Sequence, residues 1–505
     1  MSLSWASSRR TLYKERDMKR LVGILIIAFL LLGLTFMASL VSGTGVQAAF
    51  GLASNKTSIN NAPVHVDSKD FYRFFRDDTV KTLTISITDE EWQGMVQDMA
   101  SMAIIDDRMR TGNYRKADLT YEDKDGKVTL ENVGIRTKGN TTRILPQDNE
   151  GYHRAHFKIK FNETFDMEAD SEAFKELAGR SFMSLDAVIL KANLWNDPSF
   201  VHEKYAYDLL EEAGAKVPKI SMTRLVLKIG DKTVDYGVYS MIEPVDNNFL
   251  EKRYDNDKGN LYKCLWQNFG AATLEQITQR GTVGIKDWTE NYRPAYDLKT
   301  NKANPDHSPL LTFIDELNSL EGEALKAYLE ENFEVDSFLK YMAMNMLLGM
   351  PDDYWAMGNN YYLYFDPQGK IEFIPYDYDQ CLGSGWDGSH PRGHVGIATA
   401  NILTWNNTVE LLTGQPSSRP LVDKILSIDQ YKQQYLTYLK EYASEENNLF
   451  SYSRFLHLFD TVEALYGPFM ENDTQESSNM TLTNEQWYFE TKLKSVASQL
   501  AQLGY

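Results

Sequence analysis

Two short apolar runs, Tyr361-Tyr-Leu-Tyr364 and Ile371-Glu-Phe-Ile374, constrain this chain more than anything else in it. Read as the two strands of one hairpin, they bring together the polar residues outside them: Asn359-Asn360 before the first strand and Asp377-Tyr-Asp379 after the second. A second acidic pair, Asp352-Asp353, stands in the loop that leads in. Carboxylates and an amide oxygen gathered at one end of a hairpin are hard ligands suited to Mg²⁺. A further carboxylate beside them can orient or deprotonate an attacking hydroxyl, which completes the inventory that phosphoryl transfer requires.

Composition bounds the rest. With 505 residues, 43% hydrophobic and 12% aromatic, the chain can bury a large core. Its net charge of −19 argues against a nucleic-acid partner. The two cysteines, Cys264 and Cys381, are too few for a disulfide framework; one bridge is allowed, and two small buried apolar residues is the simpler reading. Residues 1–20 are basic and read as a cytoplasmic tail, followed by a charge-free run over 21–46 long enough to span a bilayer. Val46-Gln47-Ala48 resembles a signal-peptidase site, so this run is expected to be a transmembrane anchor or a signal peptide. Either way the body of the protein faces outward, anchored to the membrane or secreted. Residues 47–70 read as a linker.

Beyond the linker, alternating runs predict strands at Val80–Ile87, Lys127–Leu130, Val133–Lys138 and His156–Phe161. A further hairpin is expected around Gly230-Asp231, and helices over Phe200–Gly214, about 309–348 and from about 419 onward. The fold class expected is α+β, strand-rich first and helical later.

Six segments carry a more specific signal. They are Gly134-Ile-Arg136-Thr-Lys138-Gly-Asn-Thr-Thr142, Asp197-Pro-Ser-Phe-Val-His-Glu-Lys-Tyr-Ala-Tyr207, Tyr236-Gly-Val-Tyr-Ser-Met-Ile-Glu243, Gly259-Asn-Leu-Tyr-Lys263, Asn359-Asn-Tyr-Tyr-Leu-Tyr364 and Pro375-Tyr-Asp-Tyr-Asp379. In this order they resemble motifs of the spore coat protein H (CotH) kinase family, over roughly residues 80–460. The resemblance implies an atypical two-lobed protein kinase-like fold occupying 71–505, with an N-lobe to about 245 and a C-lobe beyond. It implies ATP and Mg²⁺ as cosubstrate and cofactor, and Ser or Thr hydroxyls of envelope or spore coat proteins as acceptors. Asp352 then corresponds to the catalytic carboxylate, with Asp353 as its rival by one position. Asn360 and Asp377 become metal ligands, with Asp379 as a possible second carboxylate. For the nucleotide, Lys138, Lys158 and Lys160 compete for the phosphate; Arg136 shares a face with Lys138, and Glu243 opens a hinge-like segment. Glu203 is available to pair with a lysine, and His202 stands where relatives are expected to carry Arg.

The chain lacks the His-Arg-Asp, Asp-Phe-Gly and Gly-x-Gly-x-x-Gly signatures of ordinary protein kinases. Eight positions separate Asp352 from Asn360, against five in the common catalytic loop. Two other functions fit parts of the pattern. A non-catalytic envelope or coat scaffold would keep the fold without the chemistry. Glycoside hydrolysis needs two carboxyls, but neither an Asn pair nor a metal.

Overall fold

A computed structural model describes residues 69–193, 197–385, 394–405, 412–474 and 479–505. The expected N-terminal tail, membrane or signal segment and most of the linker lie outside these residues. Among the described residues no helix is long and apolar enough to cross a membrane.

The first half is a closed barrel of seven strands: β1 (Thr82–Ile87), β2 (Arg115–Asp123), β3 (Gly126–Lys138), β4 (His156–Lys160), β5 (Ala187–Lys191), β6 (Ile220–Ile229) and β7 (Lys232–Ile242). The order around the barrel is β1-β2-β3-β4-β5-β7-β6, closed by a parallel pairing of β1 with β6; the other pairings are antiparallel. Alternation explains it locally. Along β1 every second residue is buried, so Leu83, Ile85 and Ile87 point inward, where they meet Ile135, Phe157 and Leu225. β6 and β7 form the hairpin expected around Gly230-Asp231. β5, Ala-Val-Ile-Leu-Lys, is buried along its whole length and so shows no alternation.

The second half carries a five-stranded sheet in the order β12-β11-β8-β10-β9, built from β8 (Asn260–Cys264), β9 (Val283–Gly284), β10 (Tyr296–Leu298), β11 (Tyr361–Phe365) and β12 (Ile371–Pro375). The helical region splits into Ser308–Ser319, Gly322–Asn332 and Val335–Leu348. Four more helices, Pro420–Ser427, Asp429–Tyr442, Tyr452–Tyr466 and Glu485–Gln502, follow later in the chain. The α+β expectation therefore stands. Cys264 and Cys381 are both buried and free, so the permitted bridge is not formed.

Helix His202–Glu212 joins the halves. Eight of its eleven residues are buried, from His202 through Leu210 with Asp208 left partly open. It packs on the barrel side and against the late helices through Tyr205, whose ring meets Phe455 and Phe489 at 5.3 and 5.8 Å.

Candidate active site

Strands β11 and β12 pair from Tyr361↔Pro375 to Phe365↔Ile371, and the Tyr376 N–H donates to the Asn360 carbonyl at 3.1 Å. That extra rung places Asn360 and Asp377 side by side at the open end of the hairpin. Both are non-glycine residues in the left-handed region, with φ of 53° and 65°. Such backbone costs on the order of 1–2 kcal/mol per residue and concentrates at functional sites, where surrounding structure holds it.

Helix Val335–Leu348 ends at Gly349, and the loop after it carries the acidic pair. Asp353 caps the short helix Tyr354–Met357: its carboxylate accepts from Ala356 N–H at 2.8 Å, Tyr341 Oη–H at 2.9 Å and Asn345 Nδ2 at 2.5 Å. Every strong acceptor direction on Asp353 is engaged within the fold, and the residue is buried. Burial pushes its carboxyl up to about 6 against those hydrogen bonds. Asp353 is thus a structural cap, and Asp352 faces the hairpin. Its Oδ1 accepts from Asn359 Nδ2 at 2.7 Å, and its Oδ2 from Asn360 Nδ2 at 3.0 Å and Gln380 Nε2 at 3.3 Å. Burial, then the negative charges of Asp377 and Asp379, lift its carboxyl to about 7, with the Asn359 amide pulling the other way.

The sequence reading missed the residue at the centre. Lys191, last of β5, reaches Glu203 Oε2 at 3.0 Å, Asp377 Oδ1 at 2.5 Å and Asp379 Oδ2 at 3.0 Å. Burial alone would depress this ammonium, but Asp377, Asp379 and Glu203 together raise it well above an ordinary lysine. Asp377 is held below the carboxylate range by Lys191 and Lys138, even though burial opposes this. Glu203, the most enclosed of the three carboxyls, is pushed up to about 7 by burial despite Lys191. The helix bearing Glu203 touches Asp377 again through Tyr207, whose hydroxyl accepts the Asp377 N–H at 2.8 Å.

Of the four basic candidates on β3 and β4, Lys138 reaches this centre, donating to Tyr376 Oη at 3.1 Å beside Asp377. Lys160 pairs with Glu163 at 3.1 Å instead. Lys158 lies directly across the ladder from Arg136, which stacks 5.1 Å from the Tyr114 ring centroid and 5.9 Å from that of Trp288. Glu243 is committed elsewhere. Its carboxylate takes Arg253 at 2.5 Å and the Lys219 N–H at 3.1 Å, and its own N–H donates to the Lys219 carbonyl. It closes a structural ion pair and has no N–H left for a ligand.

The donors suit a magnesium ion. Asn360 Nδ2 faces two oxygens of Asp352, at 2.9 and 3.0 Å, which turns the amide oxygen away from Asp352. Asp377 and Asp379 keep side-chain exposures of 31% and 28%, so both remain open to an incoming cation. No group of three His, Cys, Asp or Glu side chains forms a ready-made metal cage among the described residues. Mg²⁺ on a phosphate chain does not require one, because it uses one or two carboxylates and keeps water and phosphate as its other ligands.

Comparison with known proteins adds relatives. Two curated proteins from Rhizopus delemar (strain RA 99-880) are similar: Invasin CotH2, 24% identical over 208 residues, and Invasin CotH3, 24% identical over 202 residues. The matches cover 40% and 37% of this chain but only 33% and 30% of those proteins, so it spans about a third of their length. Among solved structures, the Shewanella oneidensis MR-1 toxin–antitoxin complex of HipA, HipB and operator DNA matches 63% of this chain and 58% of that one. The identity is 12% and the TM-score 0.22, too loose a superposition to carry weight. The family model described as CotH kinase protein matches residues 135–500, which spans every residue of the constellation above, and the chain belongs to that family.

Proposed function

We propose that this protein is an atypical protein kinase that transfers the γ-phosphoryl group of Mg·ATP to Ser or Thr hydroxyls of envelope or spore coat proteins. The observation that carries this reading is the ion cluster in which Lys191 joins Glu203, Asp377 and Asp379. A strand lysine paired with a helix glutamate, next to a metal-binding aspartate, is the arrangement that kinases use to hold phosphates. In this reading the barrel is the N-lobe, to about 245, and the remainder is the C-lobe.

Each residue then has a task. Lys191, fixed by Glu203, orients the phosphate chain. The turn after β3, where Gly139 takes a φ of 119°, would offer it backbone N–H groups. Asp377, with Asn360 and Asp379, would hold Mg²⁺, which would supply positive charge to the phosphate oxygens. Asp352 accepts the proton of the attacking hydroxyl. The acceptor oxygen bonds to the γ-phosphorus, the bond from that phosphorus to the bridging oxygen breaks, and ADP leaves. Burial and neighbouring carboxylates raise the proton affinity of Asp352, which suits a base at neutral pH. With a leader or anchor at residues 21–46, the acceptors would lie outside the cytoplasmic membrane.

The test is incubation of the protein with γ-labelled ATP, Mg²⁺ and candidate envelope or coat proteins. Label should enter Ser or Thr of an acceptor and disappear with Asp377→Ala. Full transfer by that variant would overturn the assignment.

A further inference from the structure

Strand β3 is longer than the barrel uses. It pairs with β2 from Gly126↔Asp123 to Ile135↔Arg115, but with β4 only from Gly134↔Lys160 to Lys138↔His156. Residues 126–133 therefore carry β2 on one side and no described strand on the other. Among the described residues no backbone hydrogen bond from outside the β2 ladder reaches residues 126–130. Exposure agrees: all of residues 126–132 are exposed except half-buried Leu130, and Val128 stands 39% open to solvent.

The open stretch is held at both ends. The hairpin tip is tied down where Arg76 meets Asp125 at 2.5 Å and Lys124 meets Asp78 at 2.8 Å. At the other end the register slips between Ala117 and Leu119, and Asn132 takes a φ of 56°, which bends the strand. Arg180 covers the carbonyls of Glu131 and Asn132 there, at 2.6 and 2.8 Å. Between these anchors lies a fixed, unpaired edge, the kind of template that a strand from another chain joins.

The residues on this edge say which strand fits. Lys127-Val128-Thr129-Leu130-Glu131 runs cation, apolar, Thr, apolar, anion, so it complements its own reverse. An identical strand laid antiparallel, with Thr129 on the two-fold axis, sets each Lys127 opposite Glu131 of the other copy and each Val128 opposite Leu130. Side chains alternate, so Lys127, Thr129 and Glu131 share one face while Val128 and Leu130 share the other. Lys127 already lies 3.9 Å from Glu122 on β2, whereas Glu131 makes no ion pair among the described residues. On the apolar face, Val128 and Leu130 stand across from Tyr121 and Leu119, both fully buried, and the apolar row then stops at solvent. A lysine on a free edge ordinarily keeps other strands away. A second copy is the partner that answers it with a carboxylate and answers Glu131 with an ammonium.

We propose that the open edge of β3 pairs with the same edge of a second copy of this chain, antiparallel about Thr129, joining the two β2–β3 hairpins into one four-stranded sheet. The contact is isologous, so it closes at two copies and leaves no edge for a third. Two segments of this length bury less than the roughly 1,600 Å² of a standard interface, which makes the dimer weak and dependent on concentration. None of the residues around Lys191 takes part, so the inference does not rest on the kinase reading.

The test is thiol cross-linking of the full chain, in neutral detergent, carrying Thr129→Cys. Cys264 and Cys381 are buried and do not compete for the reagent. With position 129 on the axis, the two new thiols face each other, and a short bis-maleimide should join them in a yield that rises with protein concentration. Glu122→Cys, exposed on β2 and one strand further from the axis, should not cross-link. Adding Glu131→Lys to Thr129→Cys sets like charges opposite each other at both ends and should lower the yield about tenfold. Adding Lys127→Glu as well exchanges the two charges and should restore most of it, and unchanged melting curves confirm that each variant folds. The proposal is overturned if Thr129→Cys gives no dimer at about 0.1 mM protein, within the range of weak encounters. It is equally overturned if Glu122→Cys cross-links as well, which would mark random collision, if Glu131→Lys leaves the yield unchanged, or if the charge exchange fails to restore it.

Discussion

Asp352 and Asp353 are neighbours in the chain with opposite fates, and the difference is measurable. Asp353→Ala removes a helix cap, worth about 1 kcal/mol, and strands the buried Tyr341 hydroxyl and Asn345 amide, each worth a further 1–3 kcal/mol or so. A melting temperature lowered by several degrees is expected. Asp352→Asn should do the reverse. Its carboxyl is lifted to about 7, chiefly by burial, so at pH 8 it is mostly ionised and that buried charge costs the metal-free fold stability that a neutral amide does not. The variant should melt no lower than the parent at pH 8, while transfer falls by at least about a hundredfold, the usual scale of a lost general base. Equal loss of stability in both variants would contradict the division of roles. The sequence could place Asp352, Asn360, Asp377 and Asp379 because all four lie around one hairpin. It could not choose between Asp352 and Asp353, since one step along a loop reverses which way a side chain points. Lys191 was harder still. Its partner Asp377 is 186 positions away, although the fully apolar run ending in Lys191, twelve residues before Glu203, was a usable signal.

At the scale of elements, helix His202–Glu212 matters most, because it holds Glu203 against Lys191. Its first residue is clamped from outside. His202 Nε2 lies 3.1 Å from Glu485 Oε1 on the last helix and 3.7 Å from Asp197, while Nδ1 faces the Ser384 hydroxyl at 3.4 Å. Burial alone would lower this imidazole, but Asp197 and Glu485 raise it above the usual histidine value. Burial would likewise raise Glu485, and His202 holds it down. The signs fix the pH window. The histidine's contribution is complete below its unfolded value near 6.5 and is lost as pH rises through its higher folded value. The glutamate's contribution is present above about 4.5 and is lost as pH falls through its lower folded value. The pair is therefore worth most between roughly pH 4.5 and 6.5. Glu485→Gln should cost about 3 kcal/mol there, since it strands a buried charge, and less at alkaline pH. Melting curves of parent and variant from pH 5 to 9 check this; a gap that widens with pH would refute it. Most barrel strands, the 361–374 hairpin and the long helices were legible from periodicity; β2 and the short β8, β9 and β10 were not, and β5 was hidden because burial on both faces erases alternation. The tie between residues 202 and 485 has no local trace.

Across the whole molecule, charge is sorted into two poles on either side of Lys191 and Tyr376. One pole gathers carboxylates and an amide, the other cations such as Lys138 and Lys263 that face Asp377, and both come together only when barrel and second sheet meet. Lys191→Met should break this junction: Asp377, Asp379 and Glu203 would lose their shared counter-ion. Transfer should fall by about a thousandfold or more on the scale of a lost phosphate clamp, with Mg²⁺ partly restoring thermal stability by replacing the missing charge. A melting scan with and without Mg²⁺ reads the second effect. The sequence showed the strand-rich and helix-rich halves but could not show that basic residues spread from 136 to 286 converge. The most direct measurement of the central claim is phosphorus NMR of the protein with Mg·ATP and an acceptor, which identifies the nucleotide released. ADP and a phosphoester should appear together with the parent protein and vanish with Asp352→Asn and Lys191→Met. Release of AMP and pyrophosphate, or undiminished ADP and phosphoester from either variant, would contradict it.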